Sequence, residues 1–288
     1  MRINGRATVA VGALVVGSLV PTALAGSSDN RVQKPQQSTT SAARDLGPTW
    51  KTFSTTVGRG TKIVVSKTGN ITSFVSPNVG AQTYEHIGVG AVGEGYVLCY
   101  DGQAPNYDLG SSTSGFAPAT STTSAVTRNT LDGKASLIQN FGLTVGGPGS
   151  PTTFQVQMTV NNRTSSALSN VIVRRQVDFD IDTGGAAGWA GFLSNHTRTK
   201  GTVSAFHDPA EAPSGKESHG IMMMLHQPAG TWETRITNSI LDPSCNPTAA
   251  PLAANYVARG DYGDTIIFNV GTIPAGGSKT VALRYMRY

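Results

Sequence analysis

Three aspartates alternate in one short stretch, Asp178, Asp180 and Asp182, separated by Phe179 and Ile181. Successive side chains of a β-strand point to opposite faces, so all three carboxylates would project from one side. Like charges at that spacing repel one another and need an arginine, another cation or a metal to offset them. Carboxylate oxygens followed by Thr183-Gly184-Gly185, a turn that can add carbonyls, suit calcium. The stretch is not an EF-hand loop, because its glycines come late and no Glu stands at the twelfth position. Arg174 shares the strand face and is the expected structural counter-ion. A glycosidase needs two carboxylates about 5–10 Å apart, and Asp178 and Asp180 would lie about 7 Å apart. Three readings stay open for the row: a solvated or Arg-paired face, a calcium site, and a catalytic pair.

Other groups could do chemistry elsewhere. Asp101 and Asp108, beside Tyr100 and Tyr107, are candidates for a sugar site, with Trp50, Trp189 and Trp232 as aromatic platforms. His219 and His226 frame Met222, Met223 and Met224, and soft ligands of that kind suit Cu(I). On a strand, however, Met222 and Met224 face one way and Met223 the other, so core packing is the plainer expectation. No Gly-x-Ser-x-Gly elbow, zincin motif or P-loop occurs. Gly88-Val-Gly-Ala-Val-Gly93 matches a dinucleotide fingerprint but has no helix after it, so its glycines are read as bulges or close sheet contacts. No catalytic residue is assigned. The two cysteines, Cys99 and Cys245, are expected to pair in an oxidising compartment.

The elements that must position these groups read as strands. Phe154, Val156, Met158 and Val160 alternate with Gln155, Gln157 and Thr159, giving one apolar and one wet face. From Val171 to Asp182 the odd positions are apolar except for Arg175. Further strands are expected at Lys62–Ser66, Ile71–Ser76, Glu85–Val92, Gly95–Tyr100, Ala125–Thr130 and Ala135–Phe141. Others follow at Thr202–Phe206, Gly220–His226, Trp232–Thr237, Thr265–Val270 and Thr280–Tyr285. Asp132-Gly133 predicts a type I′ hairpin turn. Residues 273–278 (IPAGGS) supply a turn between the last two strands. No stretch shows good helical periodicity.

The chain has 288 residues, of which 14% are charged, with 34 glycines and 15 prolines. That is little charge for a helical protein, whose wet faces carry Glu, Lys and Arg. Residues 1–25 read as a Sec signal peptide: basic Arg2 and Arg6, an uncharged apolar run Ala7–Val20, then Pro21 and an Ala23-Leu24-Ala25 cleavage site. Its two arginines account for part of the +5 net charge, leaving +3 for a mature chain. The remaining basic residues are scattered, apart from Arg174-Arg175, so no nucleic-acid partner is expected. Nor is a membrane span expected in the mature chain. Residues 26–49 read as a flexible polar arm, and 50–288 as one β-sandwich unit or two fused sheets.

Residues 156–171 (VQMTVNNRTSSALSNV) resemble the strand–turn–strand signature of immunoglobulin-like repeat modules in bacterial extracellular proteins. The strand Arg174-Arg175-x-x-Asp178-x-Asp180 is similar to one in secreted bacterial all-β proteins, and the Pro274–Ser278 turn fits the same module type. The resemblance implies a sandwich and an extracellular setting, and carries over no catalytic residue. The sequence therefore predicts an all-β chain, an enlarged antiparallel β-sandwich of about a dozen strands with immunoglobulin-like elements. Its expected role is non-enzymatic binding or structure in the extracellular space or cell envelope, with a glycan or protein partner and no required cofactor. The alternatives are a polysaccharide hydrolase using the Asp178, Asp180 and Asp182 strand, and a calcium-binding module.

Overall fold

Alternating apolar and polar side chains build the architecture. The structure is a computed structural model that describes residues 48–55, 60–77, 83–87, 93–110, 112–146, 151–179, 193–199, 201–207, 220–237, 242–247, 257–259 and 262–287. All of these belong to the unit Arg31–Tyr288. The first strands are β1 (Thr49–Ser54), β2 (Lys62–Ser66), β3 (Ile71–Pro77), β4 (Thr83–Glu85), β5 (Glu94–Cys99) and β6 (Asn106–Asp108). Next come β7 (Thr113–Ser114), β8 (Thr120–Ser121), β9 (Ala125–Asn129), β10 (Ala135–Thr144), β11 (Thr153–Asn162) and β12 (Leu168–Asp178). The last are β13 (Leu193–Thr199), β14 (Thr202–His207), β15 (Gly220–Gln227), β16 (Thr231–Thr237), β17 (Val257–Arg259), β18 (Gly263–Ile273) and β19 (Ser278–Arg287).

These strands form three antiparallel sheets. A nine-stranded sheet runs β17-β13-β14-β15-β19-β11-β10-β9-β8, a six-stranded sheet β16-β18-β12-β5-β6-β7, and a four-stranded sheet β1-β2-β3-β4. The all-β sandwich expected from the sequence is the observed fold. It has more strands than expected: β6, β7, β8 and β17 are too short to show a period, and β1 (TWKTFS) and β13 (LSNHTRT) carry no apolar alternation. Of the expected strand Glu85–Val92, Glu85 ends β4, and residues 88–92, with all but the last glycine of the Gly-x-Gly-x-x-Gly run, lie outside the described residues. So do the leader, most of the polar arm, Trp189 and His219.

Phe154, Val156, Met158 and Val160 of β11 meet Val171, Val173 and Val177 of β12 in a core to which β2 and β3 add Ile63, Val65, Ile71 and Phe74. Fully burying each such side chain contributes about 1.5–3 kcal/mol. β11 and β12 lie in different sheets, as do β18 and β19. Residues 163–167 and 274–277 are therefore corners between layers, not hairpins. Buried Asn162 fastens both: its Nδ2 donates to the carbonyls of Ser166 (2.7 Å), Ile273 (3.1 Å) and Pro274 (2.9 Å).

The β9–β10 turn also departs from expectation. Gly133 has φ +71° while Asp132 does not enter the positive region, which excludes type I′. Instead the Gly133 N–H donates to Thr130 O (3.0 Å), and Asp132 Oδ1 accepts from Thr130 Oγ1 (2.6 Å) and Lys134 N–H (3.0 Å). Tyr100 O–H adds a further bond to the same carboxylate (2.9 Å).

At the centre of the sandwich lies a fully buried ion pair. Arg175 Nε donates to Glu94 Oε1 at 2.5 Å, and neither side chain is exposed. Glu94 also accepts from Tyr285 O–H (2.9 Å) and the Ile71 N–H (2.6 Å). Arg175 Nη1 donates to Gln139 Oε1 (2.6 Å), and Nη2 to Gly69 O (3.2 Å). The cluster joins β5 and β12 of one sheet, β10 and β19 of the second, and the β2–β3 hairpin of the third. Gly69 is required there, because its φ is +92° and a Cβ would come within 2.3 Å of Gln139 Nε2. Burial pushes the Glu94 carboxyl up, while Arg175 beside it pulls the other way.

Arg175→Met leaves Glu94 buried without its cation and is expected to cost about 3–5 kcal/mol. Urea unfolding should show a smaller loss for the double variant with Glu94→Leu; equal losses would count against the pair. A second outcome concerns acid. Slight burial raises the Asp132 carboxyl, but bonds from Thr130, Lys134 and Tyr100 outweigh it and hold it below its ordinary 3.8. A depressed carboxylate stabilises the fold above its unfolded pKa and loses that contribution as pH falls through the folded one. Asp132→Asn should therefore flatten the loss of stability as pH falls below about 4, read as urea midpoints.

Candidate functional site

The acidic row is not a solvated face where it can be seen. Asp178 ends β12, is buried, and its N–H donates to Gly93 O (2.8 Å). Asp180 and Asp182 lie outside the described residues. Among the described residues no three His, Cys, Asp or Glu side chains converge as metal ligands. Among the described residues Arg174 is engaged elsewhere than on the row. Its Nη2 donates to the main-chain carbonyl of Asp242, and the Asp242 charge acts on it.

The other candidate acids are engaged structurally. Asp108 is buried, accepting from Arg128 Nη1 (3.1 Å) and Asn70 Nδ2 (2.7 Å). Burial pushes its carboxyl up, against the Asn70 bond and the Arg128 charge. Asp101 Oδ1 takes the N–H (2.7 Å) and hydroxyl (2.9 Å) of Ser169, which fixes the end of β12. Trp50 and Trp232 are partly buried against the core. Met223 is buried in the core, whereas Met222 and Met224 face outward with intermediate exposure. His226 Nε2 meets Arg284 Nη2 at 2.9 Å.

The outer face of the six-stranded sheet is capped. Val97, Cys99 and Leu109 form a small apolar cluster with Tyr107, Ile172 and Cys245. The expected disulfide is present: Cys99 and Cys245 are bonded across 146 residues, with Cα atoms 6.0 Å apart. It pins the segment 242–247 on this face. Arg235 Nη1 donates to Pro247 O (2.7 Å), adding a second tether to that from Arg174. Under the cap Arg174 is completely buried, and burial, together with nearby Arg235, lowers its pKa to about 10 against the pull of Asp242.

The outer face of the nine-stranded sheet is different. Register places Asn140 opposite Gln157, Gly142 opposite Gln155, and Thr159 opposite Thr280. Thr159 and Thr280 bond hydroxyl to hydroxyl (2.8 Å), and Asn161 Nδ2 donates to Ser136 Oγ (3.1 Å). Asn140, Gln155 and Gln157 are half-buried, and their amides make no hydrogen bond to any described residue. Gly142 between them has no positive φ, and a Cβ there would meet nothing within 4 Å. Neither conformation nor packing imposes this glycine, which leaves a dent among the three amides. Glycine inside a strand often marks close approach by a ligand. The sequence does show Gln155 and Gln157 as a wet face. Their meeting with Asn140 and Gly142 depends on strand register.

No protein-family model matches the chain, and no curated protein matches it. Among solved structures, a galactose mutarotase related enzyme from Lactobacillus acidophilus aligns with 83% of this chain and 97% of its own, at 8% identity and TM-score 0.40. A family GH92 alpha-mannosidase from Bacteroides thetaiotaomicron aligns with 84% of this chain and 30% of its own, at 9% identity and TM-score 0.34.

The disulfide gives a direct check. Denatured without reductant, the protein should take up no alkylating reagent; after reduction both cysteines should gain its mass. Reduction should also lower stability by about 3–5 kcal/mol on the loop-entropy argument.

Proposed function

We propose that the protein is a secreted, non-enzymatic binding protein that holds a neutral, hydroxyl-rich glycan on the outer face of its nine-stranded sheet. One observation carries this reading: the unengaged amides of Asn140, Gln155 and Gln157 surround the open position at Gly142. A primary amide offers two donors and an acceptor in one plane, which matches adjacent sugar hydroxyls. The three amides are neutral and cost little to desolvate when a neutral ligand lands on them, and Arg284, opposite Gln155, is the charged group at the edge of the patch. The engagement of Glu94, Asp101 and Asp108 in structural bonds favours binding over carboxylate catalysis. The leader read in residues 1–25 and the extracellular modules resembled by residues 156–171 belong to the same proposal.

Affinity electrophoresis through gels of neutral polysaccharides tests it. The protein should be retarded, and Gln155→Ala with Gln157→Ala should weaken retention at least about tenfold, the loss of one to two well-made hydrogen bonds. Gly142→Val should do the same by filling the dent. Unchanged mobility in every polysaccharide, or undiminished retention of these variants, would overturn the reading.

A further inference from the structure

Arg174 and Ser244, which belongs to the segment 242–247 that caps it, both hold unused buried donors. The Arg174 side chain is fully buried, and only its Nη2 is engaged, by the carbonyl of Asp242. Among the described residues neither Nε nor Nη1 has an acceptor. Two residues beyond Asp242, the buried hydroxyl of Ser244 likewise has no partner. The nearby acids are turned elsewhere: Asp242 Oδ1 accepts the Ser244 N–H (2.8 Å), and Glu233 accepts from Arg235 Nη2 (2.6 Å). Leaving charged donors unmet in the interior costs several kcal/mol, so such groups normally have an acceptor.

We propose that a small monovalent anion of about the size of chloride is bound between Arg174 and Ser244, beneath the segment 242–247. Complete burial of the guanidinium leaves no access for a bulky acid, which restricts the ligand to a small ion. Asp242 offsets the guanidinium more than neighbouring Arg235 adds to it, but it is turned to the Ser244 N–H, so the donors it leaves unmet fall to the anion, which also brings the charge that a water molecule lacks. The anion would join the Cys99–Cys245 bridge and the two arginine–carbonyl bonds as a further tether of the cap. It is distinct from the glycan face, which lies on another sheet.

The test compares thermal unfolding of the intact protein in sodium chloride and in sodium gluconate at equal ionic strength, since gluconate is too bulky for the site. Chloride should raise Tm by about 2–4 °C over gluconate, as a ligand near saturation does for a protein of this size. Arg174→Met should abolish the difference and Ser244→Ala should reduce it. Chloride NMR line broadening, titrated against bromide, should be present for the wild type and weaker for Ser244→Ala. That second readout decides the matter even if Arg174→Met does not fold. Equal Tm in the two salts, a difference that survives in a folded Arg174→Met, or the absence of specific line broadening would each overturn the proposal. A water-filled site gives the first of these results.

Discussion

The sandwich depends on two opposite charges that have been taken out of water together. Glu94 and Arg175 lose hydration that their mutual attraction only partly restores, so every remaining donor and acceptor of the pair must be satisfied. The protein does this by drawing on all three sheets: Tyr285 and Gln139 from the nine-stranded sheet, and Ile71 N–H and Gly69 O from the β2–β3 hairpin. Apolar contacts are tolerant of small slips, but a bond to a buried charge is not. A two-residue slip of β12 would keep its apolar face inward but bring Val173 or Val177 against Glu94 in place of Arg175. The pair thus selects one register among the many that an apolar core alone would accept.

A low charge content is consistent with this arrangement. Several charged side chains lie inside, as the pairs Glu94–Arg175 and Arg128–Asp108 and as the capped Arg174. On the nine-stranded sheet, the outer face of β10 and β11 then carries amides and hydroxyls, with Arg284 of β19 beside them. Neutral hydrogen-bonding groups of this kind are the groups on which the proposed sugar binding rests. The scarcity of surface charge and the proposed binding chemistry have the same origin.

The corners and the cap show how layers are joined when strands alone do not join them. Asn162 satisfies three carbonyls across the corners after β11 and β18, and the disulfide fastens 242–247 to β5. Both devices act on backbone that has left the ladders, where unpaired carbonyls would otherwise be costly. The cap also buries the outer face of β12, converting what alternation suggested was a wet face into a second interior.

Much of the fold was legible in the chain itself. The period-two pattern of Phe154 to Val160, the glycine-rich turns and the paired cysteines specify strands, an all-β class and a disulfide, because these signals are local or come from composition. Arg175 was visible as an interruption in an apolar face, but its partner Glu94 stands 81 residues away and no local rule connects them. For the same reason Gln155 and Gln157 read only as wet positions, and Asp178 stays open among a solvated or Arg-paired face, a calcium site and a catalytic pair. Side-chain alternation determines that a residue points to one of two faces. Whether that face meets water, another sheet or a cap, and which residues stand beside it, is decided by strand order and register, which exist only once the chain is folded.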